Sequence, residues 1–324
     1  MKEILFSGIR PTGGIHIGNY LGAISNWVRL QDKYESFFCI VDYHAITTPY
    51  DIKELRKLIK DMFISILACG IDLNKSTLFI QSKVSEHTEL AWILSCITNY
   101  NWLTGMIQFK EKSSHNPENI NTGLLSYPIL QTADITLYKA KYVPVGEDQL
   151  QHIELARDIV RKFNYIYGDT LIEPKPIITE SKRIMGLDAV NKMSKSLNNY
   201  IGITESSEEI FSKLKTAVTD TARVRKTDPG DPQKCNVYIS FHKNFSTQED
   251  LMNIEDGCKN AKIGCIDCKK ILHKNMLNRL SPIREKYQEI SKNKDIDDLI
   301  ELGNKKAKEK AKNVLNEIKE KIGL

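Results

Sequence analysis

The sequence predicts an α/β protein with a parallel sheet in its first part and a helical second part. In the first half, short β-branched or aromatic runs alternate with amphipathic stretches of helical period, a pattern typical of parallel βαβ units. Twice, a strand pattern passes through a glycine-containing turn directly into a helix pattern. Beyond Lys195 the strand patterns become rare, and lysine-rich amphipathic helices dominate.

Four strands are predicted, each a short run of β-branched, aromatic or aliphatic residues. They are Ile4–Ser7, Phe37–Val41, Thr77–Gln81 and Tyr142–Val145. The first strand is followed by the turn-rich segment Gly8–Gly14. Together with the helices between them, these strands predict a Rossmann-type parallel sheet.

The predicted helices of the first part show apolar residues at helical spacing. The first runs from about Ile17 to Gln31, and the second is Asp51–Cys69, in which Asp51 is the expected N-cap. The others are Glu86–Ile97, Tyr127–Tyr138 and Gln151–Phe163, and the last of these follows the turn Gly146–Gln149.

The length of 324 residues and the 41% hydrophobic composition suit two domains, at roughly 150 residues each. We place the boundary near Asn198, which predicts a Rossmann domain over 1–198 and a helical domain over 199–324. The final helix is predicted to pack back on the first domain.

Charge and hydropathy limit the class of protein. The formal net charge of +5 permits a nucleic-acid partner without requiring one. No stretch approaches the ~20 apolar residues of a membrane span, and the N-terminus has no signal-peptide core. We therefore expect a soluble, cytoplasmic protein.

The segment His16-Ile17-Gly18-Asn19 lies between the first strand and its helix. Backbone N–H groups at a helix N-terminus attract phosphate, Gly18 allows close approach, and His16 and Asn19 can donate hydrogen bonds. Taken alone, the tetrapeptide is better explained as a tight turn with an incidental histidine.

A second segment, Lys192-Met193-Ser194-Lys195-Ser196, places two lysines and two hydroxyls in a short polar loop. This composition suits the charge on phosphate oxygens during nucleotidyl transfer, although a basic surface turn would look the same. The two segments together are a specific signal.

These segments resemble the HIGH and KMSKS signatures of class I aminoacyl-tRNA synthetases. Within that class the sequence is similar to the tryptophanyl-tRNA synthetases through nearly the whole chain. The matching segments are FSGIRPTGGIHIGNYLGAI at the start, IVDYHAIT at 40–47, QFKEKS at 108–113, YPILQTADITLY at 127–138 and VPVGEDQLQHIEL at 143–155.

The resemblance implies a set of ATP-binding residues. They are Arg10, Pro11, Thr12, Gly18, Asn19, Gly146, Glu147, Asp148, Ile184, Lys192, Met193, Ser194, Lys195 and Ser196. Lys192, Lys195, His16 and Asn19 are the implied catalytic residues, and the KMSKS loop would close over pyrophosphate with Mg2+. Many relatives have Gln in place of Arg10 and Thr in place of His16, and both differences keep a hydrogen-bond donor.

The resemblance also implies a tryptophan pocket, in which Asp134 accepts the indole N–H. An indole has one donor and no acceptor, so one buried acceptor meets its chemistry. Without the resemblance, Asp134 could equally be a carboxylate on a helix surface. The other implied pocket residues, each of which could instead be ordinary packing, are Tyr127 and Gln149 at the α-amino group and Phe6, His44, Val143 and Val145 around the indole.

The seven cysteines fall into two sets. Cys39, Cys69 and Cys96 lie in apolar runs and are predicted to be small buried hydrophobes. Cys235, Cys258, Cys265 and Cys268 have the spacing C-x22-C-x6-C-x2-C, and four thiolates suit either zinc or an iron–sulfur cluster. A subset of tryptophanyl-tRNA synthetases carries this spacing with a [4Fe-4S] cluster in the anticodon-binding domain, so the resemblance favours iron–sulfur.

The implied function is activation of L-tryptophan with ATP and transfer to the 3'-terminal adenosine of tRNA(Trp), by a homodimer with a helical anticodon-binding domain. Two alternatives stay open. A tyrosyl-tRNA synthetase would need groups that recognise a phenol, and a non-catalytic, synthetase-derived RNA-binding protein would not need phosphate-stabilising lysines.

Overall fold

The protein has a five-stranded sheet in which every paired strand is parallel. The computed structural model describes residues 2–115, 120–178 and 184–324. The strands are β1 (Ile4–Ile9), β2 (Glu35–Ile40), β3 (Ser76–Ile80), β4 (Tyr142–Val145) and β5 (Lys175–Ile178).

The strand order is β3-β2-β1-β4-β5. The chain therefore winds outward from β1 in one direction and then returns to the other side of β1, so the order reverses between β1 and β4. In sheets of this kind, ligands bind beyond the carboxyl ends of the strands at the point of reversal. The predicted Rossmann-type α/β fold is confirmed.

By its contacts the chain divides into two compact units. The first comprises Met1–Thr12, Asn26–Glu180 and Asn293–Leu324, and the second comprises Gly13–Ser25 and Ser181–Lys292. The predicted domain limits, 1–198 and 199–324, stay a prediction, since a unit defined by contacts need not coincide with a functional domain.

The first unit carries the sheet and most of the long helices. The helices that lie wholly within it are Asp42–Ala45, Ile52–Ala68, Glu86–Ser95, Tyr100–Thr104, Ile107–His115, Thr122–Thr136, Leu150–Tyr167 and Ile296–Ile322, with 3-10 turns at Gln81–Lys83 and Glu147–Gln149.

The second unit is helical. Its helices are Ile17–Asn19, Ser207–Thr216, Lys243–Phe245, Gln248–Lys259 and Cys265–Ser291, with π-helical turns at Tyr20–Ile24 and Val237–His242 and a 3-10 turn at Pro232–Lys234. The helix Ser25–Leu30 begins at Ser25, the last residue of the segment Gly13–Ser25 of the second unit, and its other residues belong to the first unit.

Aromatic side chains form much of the core on both faces of the sheet. Trp27 stacks on Phe38 at 4.6 Å between ring centroids, and its Nε1 donates to Ser7 Oγ at 3.0 Å. Burying rings of this size removes a large apolar area from water, and the indole N–H has the partner that burial requires.

The helix Ile296–Ile322 packs across β3, the edge strand. Asn304 Oδ1 accepts a hydrogen bond of 3.0 Å from the backbone N–H of Ile80, so a side chain supplies what a further strand would have provided. At the adjacent Gly303, a Cβ atom would lie 2.0 Å from the carbonyl oxygen of Leu78. Only glycine lets the helix approach the strand this closely.

The predicted elements of the first part agree with the structure to within a few residues, and Asp51 caps its helix by accepting from the Lys53 N–H. The first helix is an exception, because a π-helical turn at Tyr20–Ile24 interrupts it. Strand β5 was not predicted. It has four residues, includes Pro176 and lies at the sheet edge, where proline is tolerated and the strand pattern is weak.

Burial of the first three cysteines is confirmed for Cys39 only. Cys69 is half-buried and Cys96 is exposed, so the prediction for Cys96 was wrong. Cys96 follows the last residue of the helix Glu86–Ser95, and the apolar run that predicted burial continues past the end of the helix. Among the described helices, none is long and apolar enough to span a bilayer.

Gly303→Ala should lower the free energy of unfolding by about 1–3 kcal/mol, since the new methyl overlaps a backbone carbonyl that cannot move without distorting β3. Urea denaturation measures this change. Lys308→Ala, at an exposed position of the same helix, is the matched control and should change stability by less than about 0.5 kcal/mol. Equal stability of the two variants would contradict the close packing of helix and strand.

Candidate active site

Asp134 is the centre of a buried polar cluster in the first unit, with 1% of its surface exposed. Its Oδ1 accepts from Gln81 Nε2 at 2.7 Å and from His87 Nδ1 at 2.6 Å, while its Oδ2 accepts from His44 Nε2 at 2.8 Å. A carboxylate has about four acceptor positions, so these donors fill both on Oδ1 and one on Oδ2. Among residues 2–115, 120–178 and 184–324, no side chain donates to the remaining position on Oδ2, which can accept from a ligand.

Burial raises the pKa of Asp134, but the hydrogen bonds that it accepts from His44 and His87 outweigh burial, and the pKa is lowered to about 2. Asp134 is therefore ionised at neutral pH and is a pure acceptor. Because the folded pKa lies below the ordinary value, this ionised state contributes stability above about pH 4 that is lost as the pH falls toward 2.

Other predicted pocket residues lie on elements that border the same helix. Phe6 of β1 is buried and its ring stacks on Tyr138 at 5.7 Å. Val143 and Val145 are the two buried residues of β4. His44 meets the ring of Tyr127 edge-on at 6.2 Å between centroids.

The predicted amino-group ligands, Tyr127 and Gln149, have different surroundings. Tyr127 is buried and its hydroxyl lies 2.8 Å from His152 Nε2 and 3.3 Å from Gln108 Oε1. Gln149 is half-buried and donates to Asp148 Oδ2 at 3.3 Å. The Tyr127 hydroxyl and the Gln149 amide can each donate and accept hydrogen bonds.

The segments that follow β1 and β4 carry the predicted nucleotide ligands of the first unit. Arg10 donates to Thr48 Oγ1 at 3.1 Å, while its buried Nε has no hydrogen-bond partner in the part of the chain that the structure describes. Pro11 is buried and Thr12 exposed. After β4, the turn at Gly146 exposes Glu147 and Asp148.

In the second unit, the HIGN and KMSKS segments come together. Ile17 N–H donates to Ile201 O at 2.9 Å, and a Cβ on Gly18 would lie 3.7 Å from Met193 Cβ. His16 is the N-cap of its helix, with Asn19 N–H donating to His16 Nδ1 and His16 N–H donating to Asn19 Oδ1, both at 3.3 Å. This reciprocal pair is a capping box.

The cap determines the protonation of His16. Because Nδ1 accepts from the backbone, the neutral ring carries its proton on Nε2 and can donate from there. Burial, with the nearby charges of Lys195 and Lys192, lowers the pKa of His16 to about 4. His16 is therefore an uncharged donor at neutral pH.

The KMSKS segment is held at its centre by backbone bonds. The N–H of Met193, which is buried, donates to Ile184 O at 3.1 Å, and the N–H of Ser194 donates to Asn199 Oδ1 at 2.7 Å. Ser194 and Ser196 share a hydrogen bond of 2.8 Å between their hydroxyls. Lys192 is exposed, so its ammonium can reach a ligand in solution.

Lys195 lies in a groove between glycines and an aromatic ring. A Cβ on Gly13, whose φ is +138°, would lie 2.7 Å from Lys195 Cδ, and one on Gly14 would lie 3.0 Å from Lys195 Nζ. On the other side, Nζ lies 5.3 Å from the centroid of the Tyr200 ring. The groove orients a flexible cation whose ordering would otherwise cost entropy.

The four clustered cysteines lie in the second unit and are half-buried. Burial raises the pKa values of Cys235, Cys258 and Cys268, and the charges of neighbouring thiols, Cys265 included, raise them further. Cys265 therefore lies within electrostatic range of the other three thiols. Over residues 2–115, 120–178 and 184–324, no group of three or more His, Cys, Asp or Glu side chains is arranged to hold a single metal ion.

Comparison with known proteins agrees with this geometry. The family described as tRNA synthetases class I (W and Y) matches residues 2–281. Tryptophan–tRNA ligase from Deinococcus radiodurans is 47% identical over 325 residues, covering 98% of both chains, and that from Thermotoga maritima is 44% identical over 326 residues, covering 99% of both.

Solved structures give the same result. Tryptophanyl-tRNA synthetase from Campylobacter jejuni, complexed with ADP and tryptophan, has a TM-score of 0.90 and 34% identity, covering 99% of this chain and 100% of that one. Tyrosyl-tRNA synthetase from Archaeoglobus fulgidus has a TM-score of 0.68, but at 19% identity and 88% coverage, with 90% of that chain, it shares the fold alone.

The chain has a parallel sheet whose strand order reverses beside β1, and its HIGN and KMSKS segments lie together in the second unit. These features define a class I aminoacyl-tRNA synthetase. The identities of 47% and 44% over almost the full length are to tryptophan ligases. The chain belongs to the tryptophan–tRNA ligase family.

Several residues at these sites were not among the predicted ones. Gln81 and His87 bond to Asp134, and Tyr138 bonds to His87. Gly13 and Tyr200 contact Lys195. One signal could have found Gln81, since it directly follows β3 and so stands at the carboxyl edge of the sheet. His87 lies one residue inside a helix, where its sequence position gives no sign of its neighbour.

Tyr200→Leu should reduce the rate of ATP-dependent activation by about twofold to fivefold, because it removes a cation–π contact of about 0.5–1 kcal/mol. Tyr200→Phe is the matched control, since it keeps the ring and should keep the rate. The measurement is kcat and the KM for ATP in ATP–pyrophosphate exchange. Equal rates in the two variants would show that the ring does not act on Lys195.

Proposed function

We propose that the protein activates L-tryptophan with ATP and Mg2+ and transfers it to the 3'-terminal adenosine of tRNA(Trp) in the cytoplasm. The observation that carries this proposal is the buried, ionised Asp134 with one acceptor position left on Oδ2. Tryptophan brings the single N–H donor that this position requires. Family membership supports the same reaction.

In the first step, a carboxylate oxygen of tryptophan attacks the α-phosphorus of ATP. The bond from this phosphorus to the bridging oxygen breaks, and pyrophosphate leaves with the electron pair. Lys192 and Lys195 stabilise the negative charge that spreads over the phosphate oxygens, and His16 donates from Nε2 without adding charge. Positioning and electrostatics supply the rate, so no side chain is required as a covalent nucleophile.

In the second step, a hydroxyl oxygen of the terminal adenosine attacks the carbonyl carbon of the adenylate. The bond from this carbon to the phosphate oxygen breaks, AMP leaves with the electron pair, and the hydroxyl proton is released to solvent. Mg2+ would neutralise phosphate charge when bound. The segments at 13–25 and 192–196 contain no carboxylate, which fits a cation held chiefly by the phosphates of ATP and water. The unpaired Nε of Arg10 suits an anionic ligand at the end of β1.

The test of this function is ATP–pyrophosphate exchange with tryptophan in one reaction and tyrosine in another. Exchange with tryptophan alone is expected. Exchange with tyrosine alone would favour the sister enzyme, and exchange with neither would favour a non-catalytic RNA-binding protein.

Asp134→Asn should raise the KM for tryptophan by about tenfold to hundredfold, because an amide meets three donors with one acceptor oxygen. The KM for ATP should stay within about twofold of the wild-type value. Asp158→Asn, which changes an exposed carboxylate paired with Arg161, is the control and should behave as wild type. A normal KM for tryptophan in Asp134→Asn would remove Asp134 from the pocket.

We further propose that Cys235, Cys258, Cys265 and Cys268 hold a [4Fe-4S] cluster in the helical, anticodon-binding part of the chain. The donor set fits, because four half-buried thiols lie near one another and a cluster binds them through separate irons instead of one ion. Arg223 Nη1 lies 3.6 Å from Cys258 Sγ and His242 Nε2 lies 3.2 Å from Cys268 Sγ, so donors to sulfur are present. Such contacts tune a cluster that is bound.

Anaerobically purified protein should show broad absorbance near 400 nm and about four irons per chain. Cys265→Ser should lose both signals, whereas Cys69→Ser, outside the set, should keep them. Colourless protein that contains zinc would support the zinc alternative, and protein without metal would refute both.

The proposed homodimer has support from exposed apolar side chains on consecutive helices of the first unit. Trp92 is 72% exposed, Tyr100 65% and Ile107 59%, and a second copy of the chain that covered all three would remove apolar surface from water. Sedimentation equilibrium should give twice the chain mass of 37.0 kDa, and a single-chain mass would refute the dimer.

A further inference from the structure

His87 is completely buried, with no surface exposed, and none of the predicted site residues explains it. It lies on the helix Glu86–Ser95, and its ring packs against both Phe79 and Tyr138, at 5.8 and 5.5 Å between centroids. Both ring nitrogens have partners. Nδ1 lies 2.6 Å from Asp134 Oδ1, and Nε2 lies 2.8 Å from the hydroxyl of Tyr138.

These contacts determine which nitrogen carries the proton. An ionised carboxylate can only accept, so Nδ1 donates to Asp134. In the neutral ring Nε2 is then an acceptor, and the Tyr138 hydroxyl donates to it. Burial, followed by the charges of Cys39 and Asp134, raises the pKa of Tyr138 well above its usual value, so its proton remains available. The chain of donors runs from Tyr138 through His87 to Asp134.

The consequence concerns the two oxygens of Asp134. His87 and Gln81 together fill the acceptor positions of Oδ1, which turns the remaining position on Oδ2 toward the ligand. Without His87, Oδ1 would have a free acceptor position, and the carboxylate could rotate or recruit water. The pocket would then distinguish less sharply between a ligand with an N–H and one without.

We propose that His87, fixed by Tyr138, is a positioning residue that sets the specificity of the pocket for the indole N–H. This inference rests on the proposed function, because it assigns the ligand of Asp134 as tryptophan. His87 does not touch that ligand in this account. It acts through the orientation of Asp134, as partners in an outer shell orient the groups that contact a ligand.

The test compares tryptophan with 3-benzothienyl-alanine, in which sulfur replaces the indole N–H at nearly the same shape. The measured quantity is the ratio of kcat/KM for the two amino acids in ATP–pyrophosphate exchange. His87→Leu should lower this ratio by about tenfold and raise the KM for tryptophan by a similar factor, since one buried hydrogen bond to a charged group is lost. The KM for ATP should stay within about twofold.

Conservative rescue separates positioning from packing. In His87→Asn, the side-chain amide nitrogen takes the place of Nδ1, so discrimination should stay within about threefold of wild type. Thr136→Val is the control for a loosened core. Thr136 is fully buried on the helix of Asp134, and its hydroxyl donates to Thr132 O at 2.8 Å, so the change should leave the ratio unchanged. If the ratio of kcat/KM for the two amino acids falls as far in His87→Asn as in His87→Leu, the donor at Nδ1 does not cause the discrimination and the proposal is wrong.

Two further measurements guard against a variant that fails to fold. Tyr138→Phe removes only the hydroxyl that donates to His87 Nε2, and it should shift the ratio in the same direction by about threefold. In wild-type protein labelled with 15N-histidine, His87 should show protonated Nδ1 and unprotonated Nε2. The opposite tautomer, or an unchanged ratio in folded His87→Leu, would overturn the proposal. If wild-type protein shows no tryptophan-dependent exchange, the proposed function itself fails and this inference falls with it.

Discussion

In the proposed function, the amino-acid pocket depends on the enclosure of the Asp134 carboxylate by three side-chain donors. A buried charge is costly unless it is paired, and here His44, His87 and Gln81 come from three different parts of the sequence. The helix Thr122–Thr136 must therefore pack against the elements that carry all three. A change that separates any one of these elements from the helix would leave a charge or a donor unpaired.

The C-terminal helix takes part in this constraint through β3. Asn304 accepts from the N–H of Ile80, and Ile80 directly precedes Gln81, which donates to Asp134. The last 32 residues of the chain thus belong to the same compact unit as the pocket. The position of Gln81 depends on how this helix packs, which gives a structural reason for the glycine at 303.

The second unit carries the basic side chains that, in the proposed function, bind the phosphates of ATP. Lysine side chains are flexible, and an unbound lysine loses entropy when it is ordered. The groove formed by Gly13, Gly14 and Tyr200 restricts Lys195 before any ligand binds. The capping box of His16 and Asn19 similarly fixes an uncharged donor at a helix N-terminus.

The sequence by itself determined the parallel sheet and the two signature segments, because periodicity, turn residues and motifs are local in the chain. The role expected for Asp134 came only from the family resemblance, since a carboxylate in a helix pattern does not by itself show whether it is buried. It missed β5, whose Lys-Pro-Ile-Ile run is too short and too irregular to mark a strand. Only the tertiary structure decided the strand order, the two discontinuous units and the partners of Asp134. His87 is 47 positions from Asp134 in the chain and becomes its neighbour when a helix following β3 packs against Thr122–Thr136. Such contacts arise from packing between distant segments, and no local pattern records them.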